Sequence, residues 1–107
     1  MIKSIRFVLA SAAVVLLAGA MSFAQSSGEA TYKAKCASCH GVAGIPAPGI
    51  AKGMGVKAAS DPAVKSKSEA QMIEITKRGA GKMPAYAGKV TDDQIKAAVN
   101  YYRTFAK

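Results

Sequence analysis

The sequence predicts an all-α fold of three main helices joined by ordered loops. Three helix-start signatures, two intervals rich in glycine and proline, and the lack of any run alternating apolar with polar residues carry that expectation. Each signature is a capping box. In it a hydroxyl side chain and a Glu or Gln three residues later satisfy backbone N–H groups that the first helical turn leaves free. The boxes pair Ser26 with Glu29, Ser68 with Gln71, and Thr91 with Gln94.

Along the chain, residues 1–24 read as a signal peptide and 25–107 as one domain. Lys3 and Arg6 form a basic start, Phe7 to Ala20 is uncharged and apolar, and Ser22-Phe23-Ala24 supplies small residues for cleavage after Ala24. An uncleaved anchor is the weaker alternative, because that run of 14 residues falls short of the roughly 20 a spanning helix needs. There is no arginine pair, so general export fits better than the twin-arginine route. The expected location is the bacterial periplasm, or export in another form, with no membrane insertion after cleavage.

The first helix is expected from about Gly28 into the segment Cys36 to His40. Gly41 to Asp61, rich in Gly, Pro and Ala, reads as an ordered, mostly irregular loop with at most a short helical turn. A second helix continues from Ser68 through Met72 and Ile75 to Arg78, with Gly79 as its stop. The loop from Gly79 to Val90 carries Gly81, Met83-Pro84 and Gly88. In the third helix Ile95, Ala98, Val99 and Tyr102 form one apolar stripe at helical spacing.

The apolar inventory is thin for such a fold. Residues 25–107 contain no Leu and no Trp, and 16 of their 36 hydrophobic residues are Ala. Domains this small often need disulfides, a metal or a cofactor to complete a core. A large apolar group is therefore expected from outside the chain. The same 83 residues carry 13 basic and 6 acidic side chains, a formal charge of +7. A general positive charge attracts many acidic partners and selects none by itself.

Cys36-Ala37-Ser38-Cys39-His40 supplies the missing piece. Cys-x-x-Cys-His is the attachment pattern of a c-type haem. Thiols three residues apart on a helical turn face one side, where each forms a thioether to a haem vinyl group, and the next residue presents its imidazole beneath the iron. Competing readings are weaker. A disulfide between Cys36 and Cys39 closes too short a loop to replace a core, and a thioredoxin-like pair needs a preceding strand. A structural zinc site lacks a fourth ligand.

His40 is the only histidine, which excludes bis-histidine ligation from this chain, a second haem of the same type, and a distal histidine for peroxidase chemistry. Its second ring nitrogen is expected to donate to the carbonyl of Pro46 or Pro48, with Pro48 preferred. A methionine is the natural sixth ligand, since a thioether favours reduced iron. Met54, Met72 and Met83 follow the leader. Met72 sits mid-helix, where packing against the core or the haem edge is expected. Met54 lies in a glycine-flanked loop and stays in contention. Met83 is the best placed, because Pro84 holds it in extended geometry and Gly79 and Gly81 permit close approach.

With those residues in hand, the chain resembles a class I c-type cytochrome of the small bacterial monohaem kind over essentially all of residues 25–107. The resemblance rests on the early haem motif, on Gly-Lys-Met-Pro-Ala-Tyr at 81 to 86, and on Thr-Asp-Asp-Gln-Ile-Lys leading into the last helix. It implies the small cytochrome c fold, wrapped around one covalently attached haem c, with His40 as proximal and Met83 as distal iron ligand. It implies too that the first and last helices cross, Gly28 and Tyr32 meeting Ala98 and Tyr101. Pro48, Met72 and Tyr86 complete the expected haem surroundings.

The function that follows is one-electron transfer on a closed His/Met iron, and not enzymatic turnover. The expected partners are redox proteins with acidic docking surfaces, steered by lysines such as Lys52, Lys57, Lys82 and Lys89, with no nucleic acid and a monomeric state. A haem enzyme or gas sensor with an open sixth position is the alternative from another class. A dedicated electron-entry subunit of a larger redox complex is a third.

Overall fold

A computed structural model describes residues 27–106. The leader at 1–24 and the Ser26 half of the first capping box lie outside the described residues. Among those described are six helices: α1 at 27–35, α2 at Ala37–His40, α3 at Pro48–Met54, α4 at Pro62–Lys65, α5 at Glu69–Arg78 and α6 at Asp92–Arg103. No strand occurs among them, only the isolated bridges Ala80 with Met83 and Ala87 with Val90.

Both remaining capping boxes form in full. The Gln71 amide donates to Ser68 Oγ at 3.1 Å while the Ser68 amide donates to Gln71 Oε1 at 2.8 Å, and Thr91 and Gln94 repeat the exchange at 3.1 and 2.9 Å. At the far end of α5, Gly79 turns left-handed with φ 78° and donates its amide to the Ile75 carbonyl. The chain folds back so closely there that a Cβ on Gly79 would come within 2.7 Å of the Met83 carbonyl.

The interval from 41 to 61 is more helical than its composition suggests. Pro48 opens α3 in its first turn, and Gly55 with φ 68° ends it. Asp61 then caps α4 by accepting the Ala63 amide at 2.9 Å, with Pro62 behind it. Proline at a first helical position and glycine just past the last are complete punctuation. Helices of four and seven residues are too short to show an amphipathic period.

The core lies between α5 and α6, where Met72, Val90, Ile95 and Val99 are buried, with Val64, Ile73, Tyr86 and Tyr102 packed against them. Beside it is an aromatic box. The Tyr32 ring lies 5.4 Å from Tyr101, 5.9 Å from Tyr102 and 5.6 Å from Phe105. Tyr32 is 1% exposed, and its hydroxyl donates to the Gly41 carbonyl at 2.6 Å.

That box sits where α1 crosses α6. A Cβ on Gly28 would strike the Ala97 carbonyl and approach Tyr101 Cβ to 3.3 Å. What meets Gly28 is thus the Ala97 backbone carbonyl together with the expected Tyr101. Buried Ala98 faces the interior cavity instead.

Candidate haem site

A cavity of about 460 Å³ opens among α1, α2, the end of α3, α5, α6 and the loop after Gly79. Its size falls within the range of about 300–1,000 Å³ usual for small-molecule and cofactor sites. Cys36, Cys39 and His40 line one side, and Met54, Met72 and Met83 all reach its wall.

Local hydrogen bonding explains how the motif is presented. The Cys36 amide still belongs to the first helix, donating to the Tyr32 carbonyl at 2.8 Å. The Cys36 carbonyl then accepts two amides, Cys39 at 3.2 Å and His40 at 3.0 Å. This tight turn begins α2 and brings both side chains and the imidazole to the cavity. Gly41 with φ 82° ends α2, and a side chain there would collide with the Ile45 carbonyl. The two cysteines are free thiols, each half-buried. Burial pushes the Cys36 thiol pKa up, and nearby Cys39 adds to this.

His40 has its Nδ1 buried without a hydrogen-bond partner. Burial lowers its pKa, favouring the neutral imidazole that a metal ligand must be. The Tyr102 ring meets the imidazole edge-on, with centroids 5.2 Å apart and planes at 64°. Neither Pro46 nor Pro48 accepts from Nδ1. Pro48 is exposed, opens α3 and does not line the cavity. The expected Pro48 contact is therefore not formed, because its carbonyl sits in the first turn of α3, where it serves the helix's own ladder.

The three methionines differ in setting. Met72 is 8% exposed and part of the core. Met54 is the last residue of α3. Met83 lies half-buried on the loop, its amide donating to the Ala80 carbonyl at 2.9 Å and its carbonyl accepting from the Ala80 amide at 3.1 Å. Gly79 and Gly81, with φ 78° and 56°, supply the left-handed turns that this return requires. Tyr86 also lines the cavity, and its hydroxyl donates to the Lys35 carbonyl at 3.0 Å.

These residues fit a covalent haem. Two free thiols and one buried imidazole with an unpartnered nitrogen share an apolar cavity with thioether side chains. No group of three or more His, Cys, Asp or Glu that could hold a metal ion by itself occurs among the described residues, so the rejected zinc reading gains nothing.

Several wall residues had not been expected there: Val56, Val64, Ile75 and Thr76 line the cavity, as does Tyr102. Ile75 and Thr76 lie three and four positions after Met72, and that helical spacing was the available signal. Of the lysines expected to steer partners, Lys57 and Lys82 border the cavity, joined by Lys35 and Lys67; Lys52 and Lys89 do not.

Comparison with known proteins agrees with this geometry. The family described as cytochrome C oxidase, cbb3-type, subunit III matches residues 23–101. A cytochrome c-555 of Chlorobaculum tepidum is 37% identical over 105 residues, covering 87% of both chains. A cytochrome c-555 of Chlorobaculum thiosulfatiphilum is 40% identical over 88 residues, covering 71% of this chain and 90% of the relative. A cytochrome c-551 of Halorhodospira halochloris is 35% identical over 82 residues, covering 72% and 90%. With a haem attachment motif lining an apolar cavity, an all-helical frame and relatives of this kind over 71–87% of its length, the chain belongs to the class I c-type cytochromes, electron-transfer proteins that carry covalent haem c.

Proposed function

We propose that this cytochrome is an exported, monomeric one-electron carrier whose iron is held between His40 and Met83, with no substrate turnover of its own. The observation that carries this reading is that His40 and Met83 line one cavity, each on a backbone turn built to hold it there. The haem, attached through Cys36 and Cys39, supplies an iron that takes up and releases one electron.

The chain's own residues do the rest. Tyr102 packs edge-on against the imidazole, and Tyr32 pins the Gly41 carbonyl beside it. Together they hold the proximal ligand in one orientation. Val56, Val64, Met72, Ile75, Ala98 and Val99 give the cavity apolar walls, which exclude water and stabilise the less charged, reduced iron. With haem bound, His40 and Met83 would hold the iron in both oxidation states.

Charge is distributed to suit docking at the cavity mouth. Lys35, Lys57, Lys67 and Lys82 border the cavity, and no acidic side chain does. Four of the six acidic residues sit on α5 and α6, where Glu74 pairs with Arg78 at 2.8 Å and Asp92 with Lys77 at 3.3 Å, while Glu29 pairs with Lys33 on α1 and Asp61 caps α4. An acidic partner surface is thus steered toward the haem edge, in a small transient encounter. No helix among the described residues is long and apolar enough to cross a membrane. The leader read at 1–24 supports a periplasmic carrier.

A dedicated electron-entry subunit is the second reading, favoured by the oxidase-subunit description of the matching family. Size-exclusion chromatography of exported native protein separates the two: migration as a free monomer supports the carrier, and stable co-migration with other subunits supports the second reading. Carbon monoxide tests the closed site. The native reduced protein should bind it slowly and weakly, and rapid tight binding would overturn the His/Met assignment.

A further inference from the structure

The loop that carries Met83 is fastened from both sides by side chains that reach distant helix ends. Lys82, immediately before Met83, donates from Nζ to the Gly53 carbonyl at 2.6 Å, across 29 positions of sequence. Tyr86, three residues after Met83, donates from its hydroxyl to the Lys35 carbonyl at 3.0 Å, across 51 positions.

Both acceptors lie where acceptors are free. The last carbonyls of a helix have no partner within it, and Gly53 and Lys35 fall in the final turns of α3 and α1. A cation at a helix C-terminus also meets the negative end of the aligned peptide dipoles, so an ammonium suits Gly53. One anchor fixes the loop to the helix that ends in Met54, and the other to the helix that leads directly into Cys36.

We propose that Lys82 and Tyr86 are positioning residues, a two-point clamp that holds Met83 over the cavity by tying its loop to the ends of α3 and α1. This rests on the reading of Met83 as the distal ligand. Residues 82 to 86 span at most about 14–18 Å when fully extended, and both ends are tied. Withdrawing the Met83 sulfur from the iron therefore works against at least one tether, besides the backbone pairing of Ala80 with Met83. Lys82 then serves the distal ligand while keeping its positive charge at the cavity border. Tyr86 links the proximal and distal halves of the site.

The test uses ferric holoprotein, with imidazole as the competing ligand. The rate of imidazole binding at saturating concentration reads the release of Met83, and the near-infrared sulfur-to-iron charge-transfer band reports its ligation. Lys82→Ala and Tyr86→Phe should each speed release by roughly two- to tenfold, the range of one modest hydrogen bond. The double variant should approach the product of the two, as expected for separate anchors. Lys82→Arg, which keeps a cationic donor, should restore most of the slow release, and Lys89→Ala, which removes a charge outside the cavity, should leave it unchanged. Outright loss of the band in Lys82→Ala or Tyr86→Phe is the same effect at its extreme.

Wild-type release rates in both single variants, with the band intact, would overturn the clamp and leave Met83 as ligand. Acceleration in only one would overturn the two-point arrangement. A wild-type protein without the band would overturn the Met83 assignment, and the clamp with it.

Discussion

Gly28→Ala isolates the helix crossing on which the site is built. Within a helix, Gly to Ala ordinarily stabilises by up to about 1 kcal/mol. Here the added methyl would lie 2.9 Å from the Ala97 carbonyl carbon, closer still to its oxygen, and 3.3 Å from Tyr101 Cβ. The obstacle is backbone, so α1 and α6 must separate, and overpacking of this sort costs about 1–3 kcal/mol. The net expectation is a loss of about 1–2 kcal/mol, because the crossing also carries the Tyr32, Tyr101 and Phe105 box. For a domain of this size that is a fall in Tm of about 4–16 °C, at about 4–8 °C per kcal/mol. Gly49→Ala is the matched control: Gly49 lies in α3, and an added Cβ would meet nothing within 4 Å. The assay is thermal and urea unfolding of holoprotein followed by helical circular dichroism. If Gly28→Ala melts at or above the parent while Gly49→Ala shows no loss, the close crossing is not what positions these helices.

Other consequences follow from the same geometry. Replacing both Cys36 and Cys39 by Ala should abolish covalent haem on denaturing gels and leave the chain largely unfolded by circular dichroism; a well-folded, haem-free double variant would contradict a core completed by the cofactor. Burial raises the Tyr32 pKa above its ordinary value of 10.0, with neighbouring Tyr102 and Tyr101 adding to this, and burial raises that of Tyr102 too. The folded protein then keeps phenolic protons that the unfolded chain has lost, so stability is unaffected below about pH 10. Above it stability falls by up to about 1.4 kcal/mol per pH unit for each such tyrosine. Tyr32→Phe should flatten that decline in urea titrations, and an unchanged slope would remove Tyr32 from the account. Raising ionic strength should slow electron transfer to an acidic partner, since exposed charges are screened over about 8 Å at physiological salt; stopped-flow rates indifferent to salt would discount Lys35, Lys57 and Lys67 as steering groups.

Much of this architecture is legible in the chain because local chemistry decides it. Ser68 with Gln71 and Thr91 with Gln94 mark the starts of α5 and α6, and Gly79 marks an end, through hydrogen bonds within a few residues. Cys36, Cys39 and His40 are contiguous, so their shared orientation follows from one helical turn. α3 and α4 escape a periodicity argument through their shortness, although Pro48 and Gly55 mark both ends of α3 and the Asp61-Pro62 pair the start of α4. Contacts between distant segments are a different matter. Lys82 with Gly53 and Tyr86 with Lys35 depend on how α1, α3 and the Met83 loop meet, and nothing local encodes that. The same holds for the Ala97 carbonyl against Gly28, which depends on how closely α1 and α6 approach. Pro48 shows the converse: preferred over Pro46 as the acceptor from His40 Nδ1, it opens α3 and makes no such bond.

The proposed carrier function depends on an iron closed by His40 and Met83. Its most direct measurement is the near-infrared absorption of ferric holoprotein, compared with Met83→Ala, Met54→Ala and Met72→Leu. The parent should show a sulfur-to-iron charge-transfer band that survives in Met54→Ala and Met72→Leu and disappears only in Met83→Ala. A band that survives Met83→Ala, or that is missing from the parent, would contradict it.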